Sequence, residues 1–169
     1  ISKDRITIIP PAYPGNNSSA SIKNLPKDEV HIATAARLEW TKGYRYSIGA
    51  IKLLVDRGIN IIYNIYGEGS QREELLFLTK HLNLTNRVIL HGWTNESVLI
   101  PALKTNDLYL LLSVTEAFNN SVILAQSLGL PCVVSRTGGL PENVVHEYSG
   151  FVVERYDSES AAKAIEYLI

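Results

Sequence analysis

Arg37 and Lys42 stand five positions apart in the run Arg37-Leu-Glu-Trp-Thr-Lys42-Gly43. A guanidinium presents a planar fork and an ammonium a point charge, so the pair has the chemistry to neutralise one diphosphate. Taken alone, the two also read as solvated surface cations. Residues 113–121, Ser-Val-Thr-Glu-Ala-Phe-Asn-Asn-Ser, combine the carboxylate of Glu116 with three cap-type residues, Asn119, Asn120 and Ser121. A helix starting there would offer unpaired N–H groups and a positive dipole end to a phosphate. Glu116, just ahead of it, can accept hydrogen bonds from sugar hydroxyls; the plainer alternative is a surface charge beside ordinary caps. His91-Gly92-Trp93 places an imidazole and an indole where they could frame a nucleobase or pack partly into a core. No second histidine lies near enough in sequence to suggest a metal site. Gly67-Glu-Gly69 makes a tight turn that lets backbone come near a ligand. It is not the dinucleotide fingerprint, because Arg72 occupies the place of the third glycine. Gly138 and Gly139, followed by Pro141 and Glu142, form a constrained turn into a helix start.

These runs are positioned by an alternation of strands and helices. Short apolar stretches at 30–36, 59–66, 88–90, 108–113, 131–135 and 150–153 predict six strands. Helical spacing is seen from Tyr44 to the stop at Gly58, over 71–82, around Leu99 and Leu103 with Pro101 among its turns, and over 120–128 with a stop at Gly129. A last helix carries Ala161, Ile165 and Leu168 and is entered through Asp157 or Ser158 as its cap. The strands are nearly continuous apolar runs, as strands covered on both faces are. The pattern predicts an α/β fold with a doubly wound, Rossmann-like parallel sheet. In such sheets ligands bind beyond the carboxyl ends of the strands, so every run singled out above falls on the expected edge.

The whole chain has 169 residues, 46% of them hydrophobic and 20% charged, which excludes a disordered or coiled-coil protein. Sixteen basic against 17 acidic residues give a net charge of −1, without the basic excess of a nucleic-acid binder. One cysteine cannot make an internal disulfide, and no signal peptide or membrane span is visible, so a cytoplasmic location is expected. The chain has no methionine, begins at Ile1 and stops inside an apparent helix, so it reads as a piece of a longer protein. Residues 1–28 read as a leading strand at 6–9 with a proline- and serine-rich linker, and 29–169 as the domain proper.

Taken in order, these runs resemble the C-terminal domain of glycosyltransferase family 4, of the GT-B superfold. The resemblance rests on 6–10 (Ile-Thr-Ile-Ile-Pro), Ala36-Arg37-Leu38 with Lys42-Gly43, Tyr66-Gly67-Glu68-Gly69 with Arg72-Glu73-Glu74-Leu75, and 87–93 (Arg-Val-Ile-Leu-His-Gly-Trp). It continues through 113–118 (Ser-Val-Thr-Glu-Ala-Phe), 129–134 (Gly-Leu-Pro-Cys-Val-Val) and 138–142 (Gly-Gly-Leu-Pro-Glu). It implies transfer of a sugar from a nucleotide-diphosphate sugar to a glycan or glycolipid, with retention of anomeric configuration and no metal or other cofactor. It implies a second, N-terminal domain supplying most of the acceptor site, and leaves peripheral membrane association through that half open. By the same resemblance Arg37 and Lys42 hold the donor diphosphate, the backbone of Asn119, Asn120 and Ser121 adds donors to it, and Glu116 holds the donor sugar as the catalytic carboxylate. Gly67, Gly69, His91, Trp93 and position 124 fall near the nucleoside.

Position 124 departs from the family pattern. A second glutamate, eight positions after the first, usually binds the ribose; here it is Leu124, and no Asp or Glu lies between Glu116 and Glu142. Gln126 is roughly 200° further round a helix and faces elsewhere. An unreplaced ribose contact costs about 1–3 kcal/mol of donor binding. Ala117 and Asn119 also replace glycines that commonly flank the motif's aromatic residue. Two readings therefore stand: the donor half of a transferase, or a non-catalytic nucleotide-sugar-binding or scaffolding domain. A nucleotide-sugar epimerase shares the superfold, but the acidic motif speaks against it.

Overall fold

The computed structural model describes residues 28–169. The strand expected at 6–9 and the linker after it lie outside the described residues. Among the described residues six strands and six helices alternate: β1 (Val30–Ala35), α1 (Tyr44–Asp56), β2 (Ile61–Tyr66), α2 (Arg72–His81), β3 (Val88–Gly92), α3 (Glu96–Lys104), β4 (Leu108–Leu111), α4 (Asn120–Ser127), β5 (Cys132–Ser135), α5 (Leu140–Asn143), β6 (Gly150–Val153) and α6 (Ser158–Leu168). A single 3-10 turn, Trp40–Lys42, precedes α1.

All strand pairs are parallel, in the order β3-β2-β1-β4-β5-β6. One face of the sheet is packed by α1, α2 and α6 through Ile48, Ile51, Leu54, Leu75, Ala161 and Ile165. The other is packed by α3, α4 and α5 through Leu103, Val122, Ala125 and Leu140. Burying both faces is what makes the central strands read as nearly continuous apolar runs, whereas the edge strand β3 leaves Ile89 and His91 exposed.

The third strand runs two residues past its expected end, to Gly92, and two other boundaries differ from the sequence reading for traceable reasons. Ile59 was expected in the second strand, but its N–H closes α1 by donating to Leu54 O at 3.1 Å. Gly58, at φ 85°, supplies the left-handed step this Schellman ending needs. Leu112 and Ser113 were expected in the fourth strand, which ends at Leu111. Beyond it the chain turns to its neighbouring loops instead: Ser113 O accepts from Ser135 Oγ at 2.6 Å. Of the two residues expected to cap α6, Asp157 does so, accepting from Ser160 N–H at 2.9 Å; Asn95, not singled out from sequence, accepts from Val98 N–H at 3.1 Å to start α3. Helix α3 runs through Pro101 to Lys104.

Candidate functional site

The strand order reverses between β1 and β4, which makes their carboxyl ends the switch point of the sheet. The loops that follow these strands are bound to each other there. Val114 N–H donates to Thr41 O at 2.8 Å, and the bare Cα of Gly43 lies so close to Leu112 O that a side chain would overlap it. The loop after β5 closes the arrangement. Thr137 Oγ1 donates to Val114 O at 3.1 Å, and Gly139 N–H to Ala117 O at 2.9 Å.

This framework brings Lys42 onto Glu116. Lys42 Nζ donates to Glu116 Oε2 at 2.6 Å, with the two side chains only 13% and 11% exposed. The same oxygen accepts from Asn119 Nδ2 at 3.0 Å and Ser113 Oγ at 3.3 Å. Three donors thus fix one carboxylate oxygen, while Oε1 takes no hydrogen bond among the described residues. The carboxylate is held as a rigid acceptor with one oxygen free to receive a hydroxyl, and Lys42 keeps two further N–H donors.

Asn119 caps α4. Its Oδ1 accepts from Ser121 N–H at 3.0 Å, Val122 N–H at 3.1 Å and Ser121 Oγ at 2.6 Å. The N–H of Ser121, expected to face a phosphate, is therefore spent on the cap, whereas that of Asn120 makes no hydrogen bond among the described residues. Tyr109 of β4 completes the support. Its buried hydroxyl lies 2.7 Å from Ser121 Oγ and accepts from Ala35 N–H at 3.1 Å. Tyr109 was not singled out from sequence, because a tyrosine inside an apolar run reads as core.

Arg37 is placed apart from this cluster. Its side chain is 76% exposed and paired with Glu39 Oε1 at 3.0 Å. Gly67 and Gly69 lie against the loop after β1, where a Cβ would overlap Ala36 O and Leu38 O respectively. The close approach that needs glycine is to protein backbone: Leu38 N–H donates to Glu68 O at 2.8 Å. Trp93 is exposed. Leu124 is 5% exposed and packs with Val122 and Ala125 in the core beneath α4. Gln126 turns to Ser149 Oγ at 3.0 Å, away from the cluster.

His91 stands at the end of a polar chain that sequence reasoning missed. Asn106 Nδ2 donates to Ala102 O at 2.8 Å, so its Oδ1 is left to accept from Asn64 Nδ2 at 2.9 Å. Asn64 Oδ1 then faces His91 Nε2 at 2.9 Å. A carbonyl oxygen only accepts, so the neutral ring carries its proton on Nε2 and presents Nδ1 as an acceptor. The ring stacks on Tyr66 with centroids 4.5 Å apart and planes 9° from parallel. Burial lowers the His91 pKa below its ordinary 6.5. A depressed imidazole pKa favours the neutral ring in the folded state. Its contribution to stability is full above the unfolded value and is lost as pH falls through the folded one. In an NMR titration His91 Hε1 is expected to give a midpoint below 6.5, moving up toward 6.5 in Tyr66→Ala, which uncovers the ring. A midpoint above 6.5 in the unaltered chain would refute this reading.

The model of the family described as glycosyl transferases group 1 matches residues 17–169. A UDP-Gal:alpha-D-GlcNAc-diphosphoundecaprenol alpha-1,3-galactosyltransferase of Escherichia coli is 29% identical over 158 residues, covering 92% of this chain and 40% of its own length. The chain spans 40%, 36% and 35% of the length of three curated relatives. Among solved structures, a mutant of S. aureus TarM in complex with fondaparinux, alpha-GlcNAc-glycerol and UDP superposes with a TM-score of 0.78 at 25% identity, covering 87% of this chain and 30% of that one. The apo lipopolysaccharide outer core galactosyltransferase WaaB superposes with a TM-score of 0.84 at 20% identity, covering 100% of this chain and 48% of that one, which shows the shared fold.

Proposed function

The chain belongs to the group 1 glycosyl transferases and has the fold of a GT-B C-terminal domain, and from that premise we propose that it is the donor-binding half of an enzyme that moves a sugar from a nucleotide-diphosphate sugar to a glycan or glycolipid. The observation that carries the proposal is the Lys42–Glu116 centre at the switch point, with one carboxylate oxygen locked and the other offered. In transfer, the bond from the anomeric carbon to the diphosphate oxygen breaks and one to the acceptor oxygen forms. The products are a nucleoside diphosphate, the glycosylated acceptor and a proton. Charge grows on the departing diphosphate, where Lys42 and a rotated Arg37 stabilise it, with the N–H of Asn120 as a further donor. Glu116 Oε1 holds a hydroxyl of the donor sugar. Retention of configuration, work without a metal, a separate acceptor domain and peripheral seating at the cytoplasmic membrane follow the family-4 resemblance and are part of the same proposal.

Uridine diphosphate is the nucleotide to test first, since it appears in the names of the Escherichia coli relative and the TarM complex. Calorimetric titration of the chain with UDP is expected to show saturable binding. Arg37→Ala should weaken it about tenfold while shifting stability by no more than about 0.5 kcal/mol, because this arginine is exposed. Absence of binding by UDP, GDP and ADP at millimolar concentration would defeat the donor reading. The non-catalytic reading is favoured by one observation, the apolar packing of Leu124 where the family pattern has a carboxylate. It predicts nucleotide binding in the chain but no sugar transfer by the longer protein across a full acceptor panel.

A further inference from the structure

A concavity opens on the same carboxyl edge of the sheet, on the α1 side of the 3-10 turn. It encloses about 230 Å³ and is lined by Trp40, Arg45, Tyr46, Gln71, Glu74 and Tyr156 among others. Its walls come from the segments that follow β1, β2, β4 (through Val114) and β6, and from the starts of α1 and α2. Trp40 and Lys42 belong to one three-residue turn, yet Lys42 reaches Glu116 on one side while Trp40 lines this pocket on the other.

The lining has the chemistry of sugar recognition. Trp40 is 64% exposed although it is a large apolar ring. Tyr156 is exposed as well, held edge-on to Tyr46 with centroids 5.3 Å apart and capped by the Arg155 guanidinium 5.5 Å from its ring centre. Its φ of 65° is a conformation that costs a bulky residue free energy and persists only where the surroundings fix it. Such faces accept the C–H face of a pyranose. Around them stand groups suited to vicinal hydroxyls. Gln71 Nε2 donates to Glu74 Oε2 at 3.0 Å and leaves Oε1 free. The Arg45 guanidinium makes no hydrogen bond or ion pair among the described residues. Few polar groups converging on an apolar floor is the usual make-up of a small-ligand site. A nucleotide fits less well, because Glu74 opposes a diphosphate and Lys42 is turned away onto Glu116.

We propose that this pocket is a pyranose-binding subsite, distinct from the Lys42–Glu116 centre, that takes a sugar ring of the acceptor glycan; it rests on the transferase reading only for the choice of an acceptor sugar as its ligand. The chain has two tryptophans, Trp40 and Trp93, so its two indole N–H signals are separable by Trp93→Phe. Methyl α-glucopyranoside, methyl α-galactopyranoside and methyl α-N-acetylglucosaminide are titrated into the ¹⁵N-labelled chain, with and without saturating UDP. At least one is expected to shift the Trp40 indole saturably, with a dissociation constant on the order of 1–10 mM, whether UDP is present or not. Glu74→Ala and Tyr156→Gly, the latter suited to the positive φ, should each weaken that binding about fivefold or more. No Trp40 shift with any of the three sugars at about 100 mM, or a shift abolished by UDP, overturns the subsite. A chain that binds these sugars but no nucleotide retains the subsite and loses the donor reading.

Discussion

Lys42→Met is expected to destabilise the domain by about 2–4 kcal/mol and to weaken nucleotide binding about a hundredfold. The size follows from the geometry of Glu116. Its side chain is 11% exposed and one oxygen is held by Lys42, Asn119 and Ser113. With the ammonium gone, two neutral donors remain for a carboxylate that water barely reaches. Breaking a nearly buried ion pair from one side costs more than the pair contributes, because the remaining charge stays desolvated. The double variant Lys42→Met/Glu116→Gln separates the two roles. It removes the orphaned charge and should recover most of the lost stability, while nucleotide affinity stays low because the cation is still missing. Chemical denaturation and calorimetry on the four proteins of this cycle give both quantities. If the double variant recovered UDP affinity along with stability, Lys42 would be a structural partner of Glu116 and not a diphosphate ligand.

The pair also marks where sequence reasoning stopped. Strands and helices were legible because most of the apolar runs are buried on both faces, and because Gly58, Gly129 and Asp157 end or begin helices by local rules. The individual chemistry of Lys42 and Glu116 was legible too. Their contact was not, since it joins residues 74 positions apart. It depends on β1 and β4 being sheet neighbours, which no local pattern encodes. Once the strand order is known the contact follows, for the switch point lies between the loops that carry them. Arg37 shows the converse: five positions from Lys42 in sequence, it pairs with Glu39 and faces solvent, while Lys42, the last residue of the 3-10 turn, reaches Glu116. Position 124 was legible as a departure, but only packing shows that Leu124 belongs to the core under α4.

Gly138→Ala is expected to be the most damaging single-methyl change at this edge, at about 2–4 kcal/mol of stability with a parallel loss of nucleotide affinity. Gly138 has φ 49°, in the left-handed region, and an added Cβ would overlap the carbonyl oxygen of Glu116 itself. That neighbour is backbone, so it cannot rotate away as a flexible side chain would. The loop after β5 must retreat or the Glu116 segment must move. Retreat would pull on the Thr137 Oγ1 to Val114 O and Gly139 N–H to Ala117 O bonds, which hold that segment to the loop after β5. Losing one such bond by Thr137→Val should cost only about 1 kcal/mol. The larger figure for Gly138→Ala therefore tests whether close backbone contact sets the carboxylate's position. Gly138→Asn separates conformation from contact, because asparagine tolerates positive φ but still carries a Cβ. If contact dominates, Asn should be as damaging as Ala in both denaturation midpoint and UDP affinity. If Asn were nearly neutral, backbone conformation alone would explain the glycine, and the loop after β5 would have no part in aiming Glu116. Unchanged stability and affinity in Gly138→Ala would sink both explanations.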